Sequence, residues 1–293
     1  MARVRTLVRR RAGVLAAAAA AVLGLTGPAT AGPATAGASP ATASAGPAEA
    51  AGPASAVGFA NAAGPASAVG PGEASGPAVS VRALPRGHDV SSHQERVDWP
   101  EARAGGARFV YVKATESTDY RNPYFSGQYR GAREAGLIRG AYHFARPDRS
   151  SGARQAAYFL RHGGGWRADG WTLPPALDIE YNPYSEEHVC YGLDKERMVR
   201  WIRSFGDEVE RETGRRPVIY TTTEWWRQCT GDGRAFSSHP LWLARHGAAR
   251  PGALPGGWRD WTFWQYGVKG GLPGDQNLFN GSAARLRAFA RGR

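Results

Sequence analysis

The sequence predicts a single α/β domain built as an irregular β/α barrel, and three observations carry that expectation. Short β-rich runs alternate with helical patterns from about residue 86 to the end of the chain. The strand candidates are near-continuous apolar runs, as parallel strands covered on both faces should be. Eight of them fall within roughly 200 residues, which suits a closed barrel better than an open sheet. No Gly-rich phosphate turn follows the first strand, which counts against a dinucleotide fold.

In chain order, residues 86–91 read as a strand breaking into a loop, 99–104 as a short helix and 108–114 as a second strand. A helix over 122–135 leads to a third strand at 137–144, and a helix over 151–162 to a fourth at 175–180. The best helix runs from Asp194 to Thr213: Met198, Trp201, Ile202, Phe205 and Val209 recur at helical spacing, and Gly214 closes it. Strands five, six and seven follow at 217–220, 241–244 and 262–266, with little room between them for full helices. A short strand at 275–279 and a helix over 283–290 end the domain.

What precedes the barrel is of another kind. Arg3, Arg5, Arg9, Arg10 and Arg11 are followed by small apolar residues from about Gly13 to Leu25, then by Ala29, Thr30 and Ala31. That is the pattern of a cleavable export signal over residues 1–31. The apolar stretch is short of the ~20 residues a spanning helix needs. Residues 32–81 are mostly Ala, Gly, Pro and Ser, and repeat Gly-Pro-Ala-Ser-Ala-Val-Gly from Gly52 and again from Gly64. A chain this poor in large apolar groups cannot offset its ordering entropy, so a disordered spacer is expected. Residues 82–293 hold nearly all the aromatic residues and form one expected folded domain with its own core.

The chain carries a net charge of +12, and about +9 remains once the residues before Arg82 are set aside. A basic exported protein is drawn to polyanions, anionic wall polymers among them. The charge is nearly all arginine, which a bias toward Ala, Arg and Gly explains equally well. No basic run interleaved with aromatics points to nucleic acid. Cys190 and Cys229 are the only cysteines, and in an exported protein a lone pair reads as one disulfide. Neither has the neighbours a zinc site requires.

The chemistry gathers at the carboxyl ends of the strands, which converge on one face of a barrel. Asp89 stands there on strand one, Lys113 and Glu116 on strand two, and Tyr142 and His143 on strand three. Asp178 and Glu180 end strand four, Tyr220 strand five, Trp242 strand six, and Gln265 and Tyr266 strand seven, with Asp275 further on. Residues two apart on a strand point the same way, so Asp178 and Glu180 face inward together, their Cα atoms about 6.6 Å apart. Two close carboxylates repel, which raises the proton affinity of one. A neutral acid beside a charged carboxylate is what glycosidic cleavage needs. Tyr142, Tyr220 and Trp242 could stack on sugars or pack in the core.

Several segments in register resemble glycoside hydrolase family 25, the muramidase-type lysozymes: 87–91, 112–116, 140–144, 177–180, Tyr220 with Thr221, 241–244, 263–266 and 275–279. The cysteine pair looks like that of secreted actinobacterial members. The resemblance implies a flattened, irregular barrel that cleaves the β-1,4 bond between N-acetylmuramic acid and N-acetylglucosamine in peptidoglycan glycan strands. It makes Glu180 the general acid/base and Asp178 the stabiliser of the charged intermediate, for which steadying the substrate's acetamido group is one route. Asp89 joins them as a catalytic acid. Glu116, Tyr142, His143, Tyr220, Trp242, Gln265 and Asp275 are the expected substrate contacts. No metal or cofactor is implied, and a secreted monomer without a membrane anchor is expected.

Three rivals weigh less. A family 18 chitinase-like hydrolase wants another acid two residues before Asp178, where Ala176 stands. A wall-binding module has no reason to bear the repulsion of clustered acids. A zinc amidase would need grouped histidines, and only His88 and His93 are close in sequence.

Overall fold

The computed structural model describes residues 84–293. The expected export signal and spacer lie outside the described residues. The strands are β1 (Arg86–Val90), β2 (Ala107–Glu116), β3 (Tyr120–Arg121), β4 (Ile138–Phe144), β5 (Ala176–Asp178), β6 (Val218–Thr221), β7 (Leu241–Ala244), β8 (Phe263–Gly267) and β9 (Asp275–Phe279). The helices are α1 (Trp99–Ala104), α2 (Phe125–Glu134), α3 (Gly152–Arg161), α4 (Lys195–Thr213), α5 (Thr223–Thr230) and α6 (Ala283–Ala290).

Eight strands close into a ring in the order β1-β2-β4-β5-β6-β7-β8-β9, with β9 returning to β1 and the short β3 clipped onto β2. Pairing from β1 through β8 is parallel, as expected from the apolar runs. The last strand departs from that expectation. β9 runs antiparallel to both β8 and β1, because only seven residues separate it from β8 and no crossover helix intervenes. Two further elements escaped the sequence reading: the hairpin strand β3 and the helix α5.

Strand alternation divides the side chains into two sets. Phe109, Tyr111, Tyr142, Val218, Tyr220, Trp242 and Phe263 share one cluster, that of the barrel interior, which α6 closes with Leu286 and Ala290. This interior is aromatic where such barrels are usually aliphatic. Tyr111 stacks on Trp242 with centroids 4.8 Å apart, and Phe109 packs on Phe263 at 5.1 Å. Glycine makes the room: a Cβ on Gly140 would lie 2.3 Å from the Tyr111 ring, and one on Gly87 2.6 Å from Phe109.

The outward set packs under the helices. Leu177, Ile179, Ile219, Leu241 and Leu243 meet Met198, Trp201, Ile202, Phe205 and Val209 of α4 and the paired Trp225 and Trp226 of α5. Asp98, Ser151, Asp194, Thr222 and Ser282 cap α1, α3, α4, α5 and α6, each accepting from a backbone N–H of the first turn. Gly214 ends α4 in the left-handed region at φ 68°. The disulfide expected from the lone cysteine pair is present, joining Cys190 in the loop after β5 to Cys229 of α5. Among the described residues, no helix is long and apolar enough to cross a membrane.

Candidate active site

A cleft of about 230 Å³ opens where the parallel strands end. Its walls carry Asp89, Asp178, Glu180 and Asp275, with Lys113 as the one lysine or arginine among the residues lining it. Tyr142, Tyr220, Trp242 and Gln265 complete the sequence-predicted residues it brings together. Register explains the convergence. Asp178 pairs with Tyr220, and Tyr220 with Trp242, so their side chains lie abreast on the inner face. Asp89 is paired directly with Asp275. Asp275 reaches this end because β9 is antiparallel, which puts its first residue beside the last residues of the others. Glu180 stands two residues beyond the end of β5, not on the strand as the sequence reading had it.

Asp89 is held from beneath. Its Oδ2 accepts from Gln265 Nε2 at 2.9 Å and from Asn277 Nδ2 at 2.6 Å. Both amides are themselves oriented. Gln265 Oε1 accepts from the Tyr220 hydroxyl at 2.9 Å and from His246 Nε2 at 2.7 Å. Asn277 Oδ1 accepts from Trp242 Nε1 at 2.7 Å. Tyr220 and Trp242 therefore serve this lattice with their polar tips while their rings pack in the core. Asp178 is the opposite case: no donor among the described residues reaches its buried Oδ1.

Burial in this acid cluster raises every proton affinity. Glu180 is pushed up to about 7, by desolvation first and then by Asp275, against the pull of Lys113. Asp178 rises well above the usual carboxylate range, by desolvation and by Glu180. Asp89 reaches about 8, through burial and Asp275, although its two amide donors oppose the shift. Asp275, less enclosed, rises to about 6. The acids share protons at neutral pH, and some carboxyl in the cleft is neutral there.

Two expected substrate contacts stand elsewhere. His143 is fully buried and points out of the barrel, into the helix layer. Its ring nitrogens engage Thr115 Oγ1 at 2.8 Å and Gln155 Oε1 at 3.0 Å, with Phe159 and Phe205 about it. Its neighbour Tyr142 takes the inward position, and alternation leaves His143 none. Glu116 lies outside the cleft lining, clamped by Lys113 at 2.7 Å, the Tyr184 hydroxyl at 2.5 Å and Arg146 at 3.7 Å. Sequence reasoning missed Asn277 and His246. Asn277 could have been found, two places after Asp275 on a strand; His246, just past the end of β7, gave no signal.

Clustered carboxylates with raised proton affinity, set beside aromatic rings at the end of a closed barrel, are suited to glycosidic cleavage. The sequence profile of glycosyl hydrolases family 25 matches residues 88–275. Lysozyme M1 of Streptomyces globisporus is 49% identical over 212 residues, covering 70% of this chain and 71% of that protein. An N,O-diacetylmuramidase of a Chalaropsis species is 46% identical over 211 residues, 71% of this chain and 99% of its own. Among solved structures, a bacterial lysozyme from Streptomyces coelicolor superposes with a TM-score of 0.69 at 46% identity, over 71% of this chain and 98% of that one. A muramidase from Acremonium alcalophilum gives the same TM-score at 54% identity, over 71% of this chain and all of that one. The chain belongs to glycosyl hydrolase family 25 and is an enzyme of its muramidase class.

Proposed function

We propose that this is a secreted lysozyme that hydrolyses the β-1,4 bond between N-acetylmuramic acid and N-acetylglucosamine in peptidoglycan, with Glu180 as general acid/base. The observation that carries the reading is Glu180 itself, half-buried in the cleft beside Asp178, Asp89 and Asp275, with its proton affinity raised to about 7. A carboxyl so placed holds a proton at neutral pH and can deliver it to the glycosidic oxygen. Bond cleavage leaves positive charge at the sugar's C1. Asp178 faces it with an oxygen that no donor among the described residues reaches, and stabilises it directly or through the substrate's acetamido group. Water then adds at C1 and returns a proton to Glu180, so acid and base are one group. Asp89 and Asp275 add negative field, and Asp89 is fixed by its two amides. Tyr142, Tyr220, Trp242 and Gln265 shape the groove wall toward the glycan strand. The basic surface would favour anionic wall polymers, and the export signal read in residues 1–31 would deliver the enzyme to the wall.

The test is mass spectrometry of reducing ends released from purified peptidoglycan. Wild type should generate muramic acid reducing ends, and Glu180→Gln should generate none while still sedimenting with the wall. Glucosamine reducing ends would overturn the bond assignment. Wild-type turnover by Glu180→Gln would overturn the role of Glu180.

A further inference from the structure

Four carboxylates line the cleft and one ammonium faces them, from β2. The Lys113 side chain is 15% exposed. It is fixed from several sides: its Nζ lies 2.7 Å from Glu116 Oε2, 4.7 Å above the Phe144 ring and 5.4 Å from the Tyr120 ring. Glu116 is fixed in turn. Its other oxygen accepts from the Tyr184 hydroxyl and faces Arg146, whose guanidinium lies 4.0 Å over the Tyr184 ring and is itself paired with Asp148. Both oxygens of Glu116 are already engaged by this network, and Glu116 stands outside the residues that line the cleft.

We propose that Lys113 is a positioning residue that sets the pH range over which the acid pair works, and that Glu116 is its counter-charge. This rests on the reading of Asp178 and Glu180 as the catalytic pair. The charges that meet Lys113 are Glu116 on its own strand, Asp178 and Glu180 from the end of β5, and the neutral, buried His143 on β4. Behind Glu116 stand Arg146 and Tyr184. The acid pair also meets Asp89 from β1 and Asp275 from β9, and the hydroxyls of Tyr142, Tyr191 and Tyr220, which stay protonated. His246 acts on Asp275. Lys113 is thus the cation that opposes the mutual repulsion of the pair, and both Asp178 and Glu180 are pulled down by it. Glu116 works against it at Asp178. It is held ionised by Lys113, Tyr184 and Arg146, which together outweigh its burial.

The two partners therefore have opposite signs of effect, and a pH profile reads them. In Lys113→Met, both limbs of kcat/KM on solubilised glycan strands should move to higher pH by about one unit, the size of a lost close opposite charge. In the isosteric Glu116→Gln, the limbs should move the other way, with KM little changed. Lys113→Arg, which keeps the charge, should restore limbs near those of wild type. Unmoved limbs in Lys113→Met, or shifts of the same sign in both variants, would overturn the proposal. A several-fold rise in KM for Glu116→Gln with unmoved limbs would return Glu116 to substrate binding. Glu180→Gln is run alongside. If it is inactive and the limbs stay fixed, the network proposal alone falls; if it is active, the catalytic reading falls and takes the proposal with it.

Discussion

Asn277 carries more of the site than a neutral side chain advertises. It donates to Asp89 and accepts from the Trp242 indole, both in a buried setting. Asn277→Ala leaves the indole N–H buried without an acceptor and Asp89 short of a donor, so thermal or urea unfolding should register a loss of about 1–3 kcal/mol. Its kcat should fall with it. Gly274 is as exacting: at φ 74°, a Cβ there would lie 2.0 Å from the Asp89 carbonyl. Gly274→Ala should displace the Asp89–Asp275 pair and lower activity more than stability of the remote helices. The wild-type pH profile follows from the acids themselves. Glu180, raised to about 7, is neutral below that pH and charged above it, so the rate should decline as pH rises past about 7. At this scale the acids were legible because carboxylates at strand ends are unusual. His143 was misread because a polar residue next to the site looks the same in sequence whether it faces inward or outward. A register argument from Tyr142 separates the two.

Among the elements, α5 shows what apolar periodicity alone overlooks. Eight residues with two adjacent tryptophans give little helical stripe, yet Thr222 caps the start and Gly231, at φ 69°, the end. Those two terminal signals were present in the sequence. The orientation of β9 was less accessible, since a five-residue strand carries no mark of its direction; the shortness of the preceding connection was the only sign. The disulfide is the device that joins α5 to the loop beside the acid pair. It closes a separation of 39 residues with Cα atoms 5.5 Å apart. Replacing both cysteines with alanine should cost about 3–4 kcal/mol in the chain-entropy account. For a domain of this size that corresponds to a fall in Tm of roughly 10 °C. The same variant should keep its fold at room temperature, by circular dichroism, because the barrel ring does not depend on the bridge.

For the molecule as a whole, the cleft is a cost in stability. Asp89, Asp178, Glu180 and Asp275 all hold protons more tightly in the fold than in the unfolded chain. As pH rises above about 4, the unfolded chain releases these protons first, so their contribution to stability declines up to about pH 8. Asp178→Asn removes one such group. Its urea midpoint should exceed that of wild type at pH 8, and the difference should shrink toward pH 4. An equal difference at both pH values would mean the substitution acts through packing instead. The barrel itself was legible at this scale, since eight apolar strands have few other ways to cover both faces. That every strand end meets at one cleft follows from the topology.

The ring also fixes when the enzyme comes into being. β1 is made early and β9 nearly last, and the two amides that hold Asp89 come from 176 and 188 residues downstream of it. Contacts so distant along the chain form late, after most of the loop entropy has been spent. A chain clipped before Asp275 lacks β9, leaves the barrel unclosed and loses the Asn277 amide that holds Asp89, so it should be inactive. The order of the strands alone separates the start of synthesis from a closed barrel, so the acid site is completed only when the last part of the domain has been made.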